Sequence, residues 1–216
     1  MSRNCPVLVV PRDLCGHYAV PVSGYEFDLF ISYRRRGNPL NWVQNHFYPR
    51  LRDYLDDHLD KDPALFIDVG MEKGSHWPTR LENALNRTKI LIPIYSPQYF
   101  RSPWCLAEWT TMAEREVVLG LSSAERPQGL IYPILFSDSD NFPTFARLRS
   151  WRDLKKWNNP DPVFQQTVEW VSFLREVEAI AEDLATLLPQ VPDWQPDWPI
   201  YRPDPPLPPP TLVPRF

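Results

Sequence analysis

The chain has 216 residues, 43% of them apolar and 23% charged, with a formal net charge of -4. That balance suits one soluble globular domain with extensions and gives no electrostatic reason to expect a nucleic-acid partner. Three cysteines, Cys5, Cys15 and Cys105, with no C-x-x-C pair, argue against a disulfide framework or a cysteine-built zinc site. They fit reduced thiols in a cytoplasmic protein. No apolar run approaches the roughly 20 residues of a helical membrane span, so no membrane partner is expected. The opening segment, broken by Pro11 and Arg12, is too short for a secretory signal.

In chain order, residues 1–24 read as an extension in which Val7–Val10 suit an edge strand. Phe27–Tyr33 is a short apolar run fitting a strand buried on both faces, and Arg34–Leu40 a polar loop. Val43, Phe47, Leu51, Leu55 and Leu59 recur every four residues, predicting a helix from about Asn41 to Leu59 that either kinks at Pro49, the favoured reading because the repeat runs through it, or starts there with the proline in its first turn. Ala64–Asp68 suits a second strand, Val69–Pro78 a polar loop with Gly70 and Gly74, and Thr79–Asn86 a short helix. Lys89–Tyr95 reads as a third strand, weakened by Pro93. Ser102-Pro103 is a good helix start, serine as N-cap and proline in the first position. That helix should end at Gly120. Leu130–Phe136 gives a fourth strand, and residues 137–161 a long polar loop. Within that loop, Leu148–Leu154 is the best candidate for a fifth strand. Phe164, Val168, Val171, Leu174, Ile180, Leu184 and Leu188 mark a closing amphipathic helix. Alternating strands and helices imply a parallel sheet covered on both faces. Of 26 prolines, eleven fall in residues 189–216, which predicts an extended, polyproline-like tail. Its Trp194, Trp198 and Tyr201 suit either a linker or a segment that docks along another protein.

In such folds functional loops follow the carboxyl ends of strands. The loop after the third strand leads straight into Ser102-Pro103-Trp104-Cys105-Leu106-Ala107-Glu108. On a helix, Leu106, Trp109, Ala113 and Val117 form a stripe expected to face the sheet. Trp104, Glu108, Thr111 and Arg115 form a second stripe about 100° away. An indole and a carboxylate thus become neighbours at the mouth of a site, while Cys105 is expected to pack inward. The bland alternatives are a solvated Glu108 near a helix N-terminus, a core Trp104, a solvated Arg34–Arg36 loop and an Asp68 that caps a turn. No P-loop or G-x-G-x-x-G motif occurs.

The opening strand resembles the first sequence box of TIR (Toll/interleukin-1 receptor) domains, and Ile67-Asp68 through Gly74 resembles the second box and its loop. Tyr95–Glu108 resembles the S-x-x-Y-x-x-S-x-W-C-x-x-E stretch of the NAD-cleaving members. The resemblance implies a flavodoxin-like, doubly wound, five-stranded parallel sheet over 25–188. It implies NAD+ as substrate rather than cofactor, no metal, and cleavage of the nicotinamide–ribose bond with Glu108 as the catalytic carboxylate. Trp104 would line the substrate pocket, with Tyr33, Arg34, Asp68 and Gly74 as further contacts. It also implies homo-oligomers through TIR–TIR contacts, a separate sensor or activator protein, and a role in immune or cell-death signalling. The main competing reading is a non-enzymatic TIR adaptor, whose members generally lack the Trp104–Glu108 pair. A phospho-receiver is disfavoured, because Tyr33-Arg34 and Ser96-Pro97 stand where its acidic residues would be.

Overall fold

The computed structural model describes residues 24–68, 77–138 and 140–203. The Val7–Val10 segment, Gly70 and Gly74 lie outside these residues. Five parallel strands form one sheet in the order β2-β1-β3-β4-β5. They are β1 (Phe27–Ser32), β2 (Leu65–Ile67), β3 (Thr88–Tyr95), β4 (Ile134–Leu135) and β5 (Arg152–Asp153). The chain winds outward from the centre in both directions, as the alternating pattern predicts. Side chains alternate between the faces along each strand. Leu29, Ile31, Ile90, Ile92 and Ile94 enter one core, while Phe30, Phe66, Leu91 and Tyr95 enter the other.

The first core is covered by α1 (Asn38–Trp42), α2 (Tyr48–His58) and α6 (Val168–Leu187). Trp42, Phe47, Leu51 and Leu55 meet Phe173, Val177, Ile180 and Leu184 there. Helix starts at Asn38, earlier than the sequence suggests, because Gly37 adopts φ 75° and Pro39 fits the first turn. Both readings of Pro49 meet here: the helical path is distorted in a π turn, Val43–Phe47, in which Tyr48 N–H reaches Val43 O, and α2 then starts with Pro49 in its first turn. Pro49 has no N–H to offer Asn45 O four residues back. That carbonyl is satisfied instead by Gln165 Nε2 at 3.1 Å.

The second core is covered by α3 (Trp77–Asn86) and α4 (Pro103–Leu119). Ser102 caps α4 by accepting from Cys105 N–H, and Gly120 ends it at φ 64°, as read from sequence. The predicted inward stripe of α4 is corrected. Cys105, Trp109 and Met112 face the core, but Val117 is 72% exposed and the buried positions of the last turns are Arg115 and Glu116. These two charges can lie inside because each has partners. Arg115 donates to Thr88 O at 2.8 Å, at the start of β3, and to Leu85 O at 3.1 Å, at the C-terminal end of α3 where a cation is favoured. Glu116 pairs with Arg149 and accepts from Leu130 N–H and Ile131 N–H.

The fourth strand is shorter than the run Leu130–Phe136. Leu91 N–H bonds Leu130 O and Tyr132 N–H bonds Leu91 O, but the next donor in that ladder is Pro93, which has none. Pairing resumes only at Ile94↔Ile134. The long loop after it is partly ordered into α5 (Thr144–Arg147) and β5, the latter inside the predicted 148–154 window. The closing helix begins with a 3₁₀ turn at Pro162–Gln166 before α6.

The tail is not a polyproline rod over its whole length. Pro189 sits in a 3₁₀ turn, Leu188–Gln190, where a first-position proline is tolerated. Residues 191–203 then return across α3 and α4. Tyr25 OH donates to Pro192 O at 2.8 Å, Trp194 Nε1 to Asn86 O at 3.1 Å, and Tyr201 N–H to Thr111 Oγ1 at 2.9 Å. Trp198 is buried with its ring 4.0 Å from the Arg115 guanidinium, and Arg202 forms a two-pronged pair with Glu82. Through residue 203, the two indoles of the tail dock on this chain itself, while the Tyr201 ring stays exposed.

Candidate active site

The strand order reverses at β1/β3, the place where open α/β sheets leave a crevice beyond their carboxyl ends. A cleft of about 240 Å³ lies there, lined by Tyr33, Arg34, Arg35, Arg36, Ser102, Trp104, Cys105 and Glu108. β1 delivers Tyr33 and the arginines; α4, starting eight residues after β3, delivers the rest. The Ser102 cap fixes the first turn of α4. Trp104 and Glu108, one turn apart, are thereby set on the same wall.

Glu108 is buried, and its Oε2 accepts from Ser32 Oγ at 2.5 Å. Ser32 Oγ also lies 3.0 Å from Tyr99 OH, which reaches Cys105 O at 3.1 Å. Burial pushes the Glu108 carboxyl from an ordinary 4.5 up to about 7, against the opposing pull of the Ser32 hydroxyl and the Arg35 charge, while Asp68 adds to the rise. A carboxyl that changes charge near neutral pH in a cleft is the usual mark of a working group. Cys105 packs inward beside it; burial, and then the charge of Glu108, push its thiol up to about 12.

The other expected site residues are placed as follows. Tyr33 is buried at the cleft wall and donates from its hydroxyl to Asp68 O at 2.8 Å, tying the end of β1 to the end of β2. Burial, foremost, raises that phenol to about 12. Arg34 lines the cleft, half-buried. Asp68 does not line it; its carboxylate pairs with Arg35 at 2.8 Å. Gly74 lies outside the described residues. Sequence reasoning missed Ser32 and the Arg35–Asp68 pair. The available signal for Ser32 was a small polar residue near the carboxyl end of a largely apolar run, just ahead of the loop. Among the described residues no group of three or more His, Cys, Asp or Glu could hold a metal ion, and no helix is long and apolar enough to cross a membrane.

A family model described as TIR domain matches residues 29–188. The chain belongs to the TIR family. Two solved structures are similar to this TIR domain. One is the TIR domain of the Toll-related receptor TRR-2 from Hydra magnipapillata, at 20% identity over 70% of this chain and 98% of that one, TM-score 0.41. The other is the TIR domains of the activated Roq1 resistosome recognising the pathogen effector XopQ, at 18% identity over 75% and 85%, TM-score 0.38. No curated protein is similar enough to this TIR chain to match it.

Proposed function

We propose that this TIR domain cleaves the nicotinamide–ribose bond of NAD+, with Glu108 as the catalytic carboxylate. The observation that carries the reading is one buried carboxyl on the cleft wall, beside an indole and under a rim of arginines. Ordinary glycosidases need a second carboxylic acid to protonate a poor leaving group. Nicotinamide in NAD+ is already cationic and departs neutral, so no acid is required. Positive charge grows on the ribose instead, and an ionised Glu108 beside it stabilises that charge. Its low-dielectric surroundings strengthen the attraction. The Trp104 face suits a planar ring or the ribose. Arg34 and Arg36 suit the diphosphate.

Activity in this reading follows self-assembly through TIR–TIR contacts, triggered by a separate sensor, in an immune or cell-death role in the cytoplasm. The test is incubation of concentrated protein with NAD+ and chromatographic analysis of nicotinamide and ADP-ribose products. Turnover that disappears in Glu108→Ala supports the proposal. No NAD+ loss under assembling conditions, or loss undiminished by the substitution, overturns it in favour of a non-enzymatic adaptor.

A further inference from the structure

Three contacts run in line from the cleft into the protein: Glu108 Oε2 to Ser32 Oγ at 2.5 Å, Ser32 Oγ to Tyr99 OH at 3.0 Å, and Tyr99 OH to Cys105 O at 3.1 Å. Ser32 and Tyr99 are both fully buried, so water does not supplement the chain. Each hydroxyl carries one hydrogen and accepts others. The hydrogens can therefore be counted. With Glu108 protonated, three hydrogens serve three contacts: Glu108 donates to Ser32, Ser32 to Tyr99, and Tyr99 to the Cys105 carbonyl. With Glu108 ionised, two hydrogens remain and the direction reverses: Tyr99 donates to Ser32, and Ser32 donates to the carboxylate. Cys105 O gives up the tyrosine but remains within the α4 hydrogen-bond ladder.

We infer that Ser32, backed by Tyr99, is a two-way hydrogen-bond partner that holds the Glu108 carboxyl in one place in both of its charge states. The inference rests on the proposed role of Glu108 and deepens it. Ser32 touches no ligand; it is a positioning residue. It occupies Oε2, which leaves Oε1 as the oxygen offered to the cleft. No heavy atom needs to move when the proton leaves for bulk water through the cleft mouth. A cationic ligand can therefore draw out the charged form without rebuilding the site.

The groups that face Glu108 come from each neighbouring element. Arg35 and Tyr33 follow β1, Asp68 follows β2, Tyr99 precedes α4, and Cys105 lies on α4. The Tyr99 phenol, raised well above its ordinary value first by burial, and the Cys105 thiol both stay protonated at neutral pH. The Arg35–Asp68 pair contributes opposite signs. Ser32 is the group that donates directly to the ionised carboxyl, so its loss leaves burial less opposed.

The test is the titration of the Glu108 carboxyl carbon by NMR in full-length protein labelled with ¹³C-glutamate, free of NAD+, with Glu108→Gln assigning the signal. Ser32→Ala should move the midpoint upward by about one to two pH units, the effect of losing a hydrogen bond to a charged group. Ser32→Thr, which keeps the hydroxyl, should bring it back. An unchanged or lowered midpoint in Ser32→Ala overturns the inference. The readout needs no turnover. A protein that shows the shift but never cleaves NAD+ loses the proposed reaction and keeps the hydrogen-bond chain. A protein that cleaves NAD+ through Glu108 without the shift does the reverse. Where both hold, the rising limb of kcat against pH moves up together with the midpoint.

Discussion

Replacing Glu108 with glutamine should make the protein more stable at alkaline pH, against the usual direction for a buried polar substitution. Burial raises this carboxyl from 4.5 to about 7 in the fold. The native state therefore binds its proton more tightly than the unfolded chain does. Stability falls with pH wherever the native state holds more protons. The carboxyl's contribution is thus fully present below about 4.5, declines through the interval to about 7, and is lost above it. The shift of roughly two and a half units corresponds to about 3 kcal/mol. The glutamine side chain cannot ionise, and its amide N–H can donate to Ser32 Oγ as the protonated acid would. The two proteins should then be nearly equal at pH 4.5–5, with the Glu108→Gln variant ahead by about 3 kcal/mol at pH 8.5. For a domain of this size that is on the order of 5–10 °C in Tm. Urea melts of both proteins at pH 5, 7 and 8.5 measure the difference, in which titrating groups remote from Glu108 cancel. A difference that stays flat with pH, or that favours the wild type more as pH rises, refutes the argument. A gain in stability joined to a loss of turnover is the trade expected where a working group is held in an unfavourable setting.

Other substitutions test other parts of the molecule. Trp198→Ala removes a buried ring from the Arg115 guanidinium, Trp194 and Tyr25 and should cost about 3 kcal/mol in urea denaturation; an unchanged midpoint would mean the returning tail adds nothing to the fold. Glu116→Ala leaves Arg149 and the Leu130 and Ile131 N–H groups without their acceptor and should cost about 3–5 kcal/mol by the same measurement. Trp104→Ala should raise KM for NAD+ more than it lowers kcat, because the ring positions substrate; steady-state kinetics separate the two. With Cys5 and Cys15 changed to serine, the buried Cys105, its thiol pushed up to about 12, should resist alkylation at pH 8 and react fully only in denaturant, as followed by mass spectrometry.

The fold is legible in the sequence where local signals agree. The caps of α4 are an example: Ser102, Pro103 and Gly120 each have one natural place, and they occupy it. The four-residue repeat also carries through Pro49, because Gln165 takes up the carbonyl that proline orphans. That compensation comes from 120 residues away in the chain, so no local reading could supply it. The break in the fourth strand has the same character. Pro93 reads as a weakness in its own strand, but the missing bond is felt in the neighbour, where pairing stops until Ile134. The tail departs from expectation for a related reason. Its prolines foretell an extended backbone, yet its aromatics decide where that backbone lies, and their receptor is the Arg115 side of α4.

The same helix shows why only part of the site could be read. Periodicity assigns polar residues to the outside, yet α4 buries Glu108, Arg115 and Glu116 together. The three have different fates once inside. Arg115 lies against a carbonyl at the end of α3, another at the start of β3 and the ring of Trp198. Glu116 has an arginine and two backbone donors. Glu116 is a paired charge, whereas Arg115 relies on carbonyls and a ring and leaves its Nε without a hydrogen bond. Glu108 receives a single serine hydroxyl and otherwise looks into a cleft. Burial without full compensation is costly, and a fold needs no such residue for its own sake. The contrast along the seventeen residues of one helix sets the carboxyl of the proposed reaction apart from its charged neighbours by its partners, and those partners exist only after the chain has folded.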